Sequence, residues 1–273
     1  MRGFLKVFDL YVKYNIHVSL AVLALVQITA MDFGIDLSLG HQFIFFTAPF
    51  LGYNFIKFHF FFFNKTPFTS VKYILFSGYL SLCLTMALWQ TLYLSFSFQL
   101  LFLVTSILGL LYCLPFPGLK INFRGLKGLK IHLVALSWVL TSVYLPISLM
   151  EKMPENLSWD YAFQRYLFVL AATIPFEIRD LKLDAPQLST WPQKWGIQKT
   201  KIVGVTLLLV FFVLEGYMSK PTHSLITIFI GVLLMGMVII SKTDQSKYFS
   251  SFWVEGIPIL WLTLLIISID LID

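Results

Sequence analysis

Long, unbroken apolar runs dominate this chain and restrict the solvent in which it can fold. Nine of them, at residues 14–31, 41–63, 71–88, 92–114, 129–150, 161–176, 202–216, 225–240 and 252–269, approach or exceed the roughly 20 residues a helix needs to cross a bilayer. None alternates polar and apolar residues as a barrel strand does, and backbone amides in lipid must be satisfied within their own segment. Helices are therefore predicted. The bulk numbers agree: 58% of the 273 residues are hydrophobic, 12% are charged, and the mean hydropathy is +0.81. Soluble chains carry about 25% charged residues, so a water-facing globular domain is excluded, as are disorder and collagen-like structure. The predicted fold class is all-α: a polytopic membrane bundle of nine transmembrane helices forming a single domain over residues 1–273. The first run follows Arg2, Lys6 and Lys13 and imitates a signal peptide, but no A-x-A-like cleavage site follows, so it is expected to be retained. Cys83 and Cys113 lie in separate apolar runs and read as small core residues, not as a disulfide or zinc site.

The net charge of +6 has an orienting meaning here. Basic residues collect in alternate loops: Arg2, Lys6 and Lys13; Lys65 and Lys72; Lys120, Arg124, Lys127 and Lys130; Arg179, Lys182, Lys194, Lys199 and Lys201; Lys242 and Lys247. The opposite loops carry Asp32, Asp36, Glu151, Glu155 and Glu215 against only Lys152 and Lys220. By the positive-inside rule the N-terminus is predicted to be cytoplasmic, in an inner or plasma membrane, and the C-terminus outside. That parity requires an odd number of spans. The basic residues thus mark a membrane side, and no nucleic-acid partner is expected.

The two longest polar stretches, 115–130 and 177–201, both fall on the expected cytoplasmic side. In the second, a helix continued through Asp184 would place Glu177, Asp180 and Asp184 at i, i+3 and i+7 on one face. Such a row of carboxylates repels itself unless a cation bridges it, and magnesium is held by one or two carboxylates together with substrate phosphates. The alternative is a solvated face neutralised by Arg179 and Lys182. In the first stretch, Lys120, Arg124, Lys127 and Lys130 are placed to cradle a diphosphate; the alternative is a basic anchor for anionic lipid.

These segments together resemble the UbiA family of intramembrane prenyltransferases, in which nine helices surround a cavity and two Asp-rich motifs face the cytoplasm. Asp180 and Asp184 resemble the second motif, D-x-x-x-D, with Glu177 at the acidic position before it. Tyr112, Pro115 and Lys120 are similar to the loop after the fourth helix, and Thr200 to the turn entering the seventh. The resemblance implies transfer of a prenyl group from a prenyl diphosphate to an acceptor. Asp180 and Asp184 would be the catalytic and magnesium-binding residues, with one ion at most, and Asn54, Tyr112, Lys120, Arg124 and Glu177 would bind substrate. The implied partners are a prenyl diphosphate and membrane lipid.

The first motif departs from the pattern. N-D-x-x-D-x-x-x-D aligns on residues 54–62 with Asn54 kept and the aspartates replaced by Phe55, Phe58 and Phe62, which leaves no carboxylate for metal there. Lys57 shares a helical face with Asn54, and a charge within a span normally faces the interior with a partner. It is expected either to pair with Glu177, Asp180 or Asp184, to offer a diphosphate the charge a metal would supply, or to snorkel to the surface. Two functions follow: a prenyltransferase, or a non-catalytic homologue that binds an isoprenoid or scaffolds a membrane complex. His17, His41, His59, His132 and His223 show no metal-binding spacing, and a transporter has little support because no inverted repeat is visible.

Overall fold

A computed structural model describes residues 2–63, 71–114, 126–151, 159–218 and 224–271. A short helix α1, Arg2–Lys13, precedes α2, Ile16–Phe33, α3, Leu39–Phe63, α4, Val71–Thr91, and α5, Phe96–Cys113. Then come α6, Lys130–Val139, a π turn at Leu140–Tyr144, α7, Leu145–Ile147, and α8, Trp159–Asp180. The chain closes with α9, Trp191–Tyr217, α10, Ser224–Ile240, a second π turn at Phe249–Val254, and α11, Ile257–Asp270. No strand occurs among the described residues. Every predicted apolar run coincides with a helix or with a helix and its π turn. Four of these segments, Ile16–Phe33, Lys130–Ile147, Trp191–Tyr217 and Phe249–Asp270, are by length and composition apolar enough to cross a membrane.

Two departures from the expected elements have local causes. Residues 2–13 form a helix of their own because apolar Phe8, Tyr11 and Val12 have rings and helices to pack on, while Lys6 and Lys13 remain exposed. The helix holding the seventh run begins eleven residues early, at Trp191, and is broken at Gly196. There φ is +77°, a left-handed value that glycine adopts without the steric cost a side chain would add. Both π turns stand a few residues before a proline, Pro146 and Pro258. Proline cannot donate to the carbonyl four residues back, and the widened turn accommodates that loss.

Burial sorts the helices into inner and outer ones. α2 contributes to two packed clusters, with Leu25 and Ile28 facing α8 and α11, and Val26 and Ala30 facing Ile44 and Phe45 of α3 and Phe98 of α5. α8 is buried along most of its length, from Tyr161 through Ile178. The outer helices bury one stripe each, as a 3.6-residue period requires: Thr200, Gly204, Leu208, Phe211 and Glu215 on α9, and Thr227, Ile230, Gly231, Leu234 and Val238 on α10. Leu209, Val213, Val232 and Ile239 on the same helices are exposed, as lipid-facing side chains would be. At one end of the bundle Arg165, 4% exposed, donates to the Tyr161 hydroxyl at 3.0 Å and packs against the ring of Trp261. Tyr161 in turn donates to Asp32 at 2.8 Å, so this arginine is buried and partnered.

Helices in lipid gain nothing from hiding apolar surface from one another, so close approach through small residues matters more than in water. A Cβ built on Gly204 would lie 2.7 Å from Ile174 and 2.8 Å from Val238, whereas one on Gly216 would meet nothing within 4 Å. Gly204→Val is expected to lower stability by about 1–3 kcal/mol, and Gly216→Ala to be near neutral. Thermal unfolding in one detergent checks both.

Candidate functional site

The carboxylates of the second motif do not form one row. α8 ends at Asp180, and Asp184 sits in the turn that follows, its amide bonded to the Asp180 carbonyl at 2.8 Å. The turn swings Asp184 back beside Glu177, and Lys130, at the start of α6, fills the gap between them. Its Nζ lies 2.9 Å from Glu177 Oε1 and 2.7 Å from Asp184 Oδ2. The three side chains are 16%, 4% and 8% exposed, so the contacts are poorly screened and each charge depends on the others. Lys130 was legible only as one of four cations near the loop. The signal that singles it out is its place at the start of a helix that packs on α8.

Asp180 faces a different cation. Arg179 grips it with two N–H groups, Nε to Oδ1 at 2.7 Å and Nη2 to Oδ2 at 3.1 Å, and gives its remaining arm to Ser251 Oγ at 2.9 Å. Asp180 and Asp184, expected to share a magnesium ion, are therefore each held by a side-chain cation of the chain itself. Among the described residues no group of three or more His, Cys, Asp or Glu is placed to hold a metal. With Phe55, Phe58 and Phe62 at the first motif, the residues present do not fit a metal bridged between two acidic motifs.

The helix carrying the first motif has a structural task. Asn54 is fully buried and its amide is bonded at both ends: Nδ2 donates to the Tyr14 and Phe50 carbonyls at 2.9 and 2.8 Å, and Oδ1 accepts from Asn15 at 3.1 Å. It holds the turn between α1 and α2, where Asn15 sits in the left-handed region at φ 59°, and both of its N–H donors are committed to carbonyls of the chain itself. Lys57, one turn on, donates to the Lys13 carbonyl at 2.6 Å, not to the acids of α8. A lysine there satisfies a terminal carbonyl of α1 and complements the negative end of that helix. Tyr112 is half-buried near the end of α5, close to Tyr53 of α3, while Lys120 and Arg124 lie outside the described residues.

α1 is pinned on its other side by the second π turn. The ring of Phe8 packs on Tyr248 and Phe252, the latter at 4.8 Å. Asp9 accepts from Lys247 at 2.7 Å and from the Tyr248 hydroxyl. His17 Nε2 donates to the Phe252 carbonyl at 2.9 Å, which leaves Nδ1 to accept from Tyr11 at 2.7 Å. Between these two attachments lies a cavity of about 720 Å³. Lys6, Lys13, Lys57 and Lys247 line it together with Asp9, Asn15, Phe176, Ser251 and Glu255. It adjoins the second motif, since Phe176 precedes Glu177 and Ser251 is the residue Arg179 holds.

The architecture defined by these helices is that of a polytopic membrane bundle with one polar, cation-rich end. Its fold is the UbiA fold. The structure of a UbiA homologue from Archaeoglobus fulgidus bound to GPP and Mg2+ matches over 92% of this chain and 97% of its own, with a TM-score of 0.61 at 17% identity. Another structure of a UbiA homologue from the same organism matches over 92% and 94%, with a TM-score of 0.60 at 16% identity. A digeranylgeranylglyceryl phosphate synthase structure matches over 95% and 97%, with a TM-score of 0.56 at 14% identity. No family model and no curated protein matches the sequence.

Two measurements test the site. Lys130→Met strands two buried carboxylates and is expected to cost about 3–5 kcal/mol, the range for breaking a buried pair from one side. Combining it with Glu177→Gln and Asp184→Asn should recover most of the loss, as read by thermal unfolding. Hydrogen bonds from Lys247 and Tyr248 hold Asp9 below the usual carboxylate range, and Asp9 holds Lys247 above the usual lysine range. The Asp9 contribution is complete above its unfolded value near pH ~4 and fades as pH falls through its lowered folded value. That of Lys247 fades only as pH rises through its raised value. Amide exchange of residues 2–13, corrected for intrinsic rates, should therefore accelerate on acidification in the wild type. Asp9→Asn should exchange fast at neutral pH already.

Proposed function

We propose that this protein is a UbiA-like membrane protein that takes a prenyl diphosphate at the end of the bundle bearing the basic loops. We place that end on the cytoplasmic side. One observation carries the reading: the cavity lies where the first-motif helix α3, the second-motif helix α8 and the π turn before α11 converge. The GPP and Mg2+ bound to the A. fulgidus homologue support a diphosphate as the ligand class for this fold. The bundle offers the prenyl chain apolar surroundings, and the lysines meet the charged head.

Prenyl transfer to an acceptor is the reaction class that the surviving Glu177, Asp180 and Asp184 support. Holding the ligand without ionising it is what the geometry supports best. Departure of diphosphate from an allylic carbon requires stabilisation of the charge that develops on the leaving group. In this chain the acids suited to carrying a metal for that purpose are closed by Lys130 and Arg179, and the first motif has no carboxylate. We therefore favour an isoprenoid-binding homologue over an active transferase.

Purified protein in neutral detergent, supplied with geranyl diphosphate and magnesium, separates the two. Ligand that binds only the native state must raise apparent stability by mass action. The expected result is saturable stabilisation with no release of inorganic diphosphate above a protein-free control. Release above that control, abolished in an Asp180→Ala, Asp184→Ala variant, would establish the transferase. No stabilisation at any ligand concentration would remove both.

A further inference from the structure

The composition of the cavity under α1 determines what kind of head group it accepts. Its lysines come from three separate parts of the fold: Lys6 and Lys13 from α1, Lys57 from α3, and Lys247 from the loop before the second π turn. Two acidic residues stand among them. Asp9 is engaged by Lys247 and Tyr248, and Glu255 lies opposite Lys57 and Arg179. Hydroxyls are present as well, from Ser251 and Tyr248.

Asn15 also lines the wall, its side-chain amide donating to Asn54. A volume of about 720 Å³ is within the roughly 300–1,000 Å³ of small-molecule sites.

We infer that this cavity is a phosphate-binding site that works without a divalent cation, its charge supplied by Lys6, Lys13 and Lys57. The inference rests on the reading of the protein as a UbiA-like binder of a phosphorylated amphiphile, and it specifies how the head group is held. In this arrangement the two cation duties of a metal-dependent site are divided. Lys130 and Arg179 neutralise the acids of the second motif, and the α1 and α3 lysines face the ligand. Lysine suits the second duty because its ammonium carries three donors on a flexible stem that can follow the phosphate. The same chemistry is offered by a soluble prenyl diphosphate and by the head group of an anionic phospholipid.

The test uses the full chain in neutral detergent with EDTA throughout. Thermal stability is titrated separately with geranyl diphosphate and inorganic diphosphate, and compared in nanodiscs of phosphatidylcholine with and without phosphatidylglycerol. Saturable stabilisation by geranyl diphosphate in EDTA is expected. Lys57→Met with Lys13→Met should weaken it roughly tenfold or more, as loss of charge-assisted bonds does. Lys57 also holds the end of α1, so Lys6→Met, at an exposed position, serves as the variant that leaves the fold intact, and it should weaken binding in the same direction. Stabilisation that appears only when magnesium replaces EDTA would overturn this inference while leaving the prenyl diphosphate reading in place. Equal response to inorganic diphosphate, or response to phosphatidylglycerol alone, would support the phosphate site and overturn the prenyl reading. Unchanged affinity in both Lys6→Met and the double variant, or no response to any probe, would overturn the inference outright.

Discussion

The ammonium of Lys130 between Glu177 and Asp184 is the contact on which the polar end of this bundle depends. It ties the start of α6 to the end of α8 and to the turn beyond it. Without an internal cation, two carboxylates that are almost fully buried would face each other at the membrane edge. The turn from Asp180 to Asp184 would lose its reason to fold back, and Gly128, whose amide bonds the Leu188 carbonyl at 3.1 Å, would lose the loop it rests on. A lysine differs from a metal ion in being tethered: it neutralises the acids permanently and cannot be exchanged for a ligand-borne cation.

A parallel change of use is written into α3. In a UbiA-like chain with an intact first motif this helix would present carboxylates; here Asn54 and Lys57 instead fasten α1 through the Tyr14 and Lys13 carbonyls. The opposite edge of α1 is fastened by Phe8, Asp9 and Tyr11 to the second π turn and to His17. α1 therefore roofs a cavity instead of trailing from the first span. Hydrogen bonds at both ends of a buried amide give it a fixed geometry, and Asn54 is thereby an anchor for the turn that joins α1 to α2.

Apolar patterning accounts for the bundle itself. Each of the nine runs predicted from length and hydropathy overlaps a helix, four of the segments being long and apolar enough to cross a membrane, and the stripes on α9 and α10 follow directly from a 3.6-residue period. What patterning cannot weigh is polar detail at helix ends. Glu177, Asp180 and Asp184 are spaced for one helical face, yet the helix stops at Asp180 and the three acids divide between Lys130 and Arg179. Residues 2–13 carry too many charges to score as a span, and their helix became visible only through the rings and carbonyls it meets.

The sequence by itself determined the solvent, the helical class and the positions of the apolar segments, because burying backbone amides in lipid leaves a chain of this composition hardly any other solution. It also marked the acids of α8 and the loss of carboxylates from α3, since both are matters of residue type at a given spacing. Only the tertiary structure decided which cation meets which acid. Read as letters, Lys57 is the candidate partner for Glu177 and Lys130 is one of four cations near a loop; their positions, at the edge of α1 for one and against α8 for the other, follow from how helices pack. Charge pairing falls off over a few ångströms, so it is settled by distances between elements far apart in the chain, and those distances exist only once the bundle is assembled.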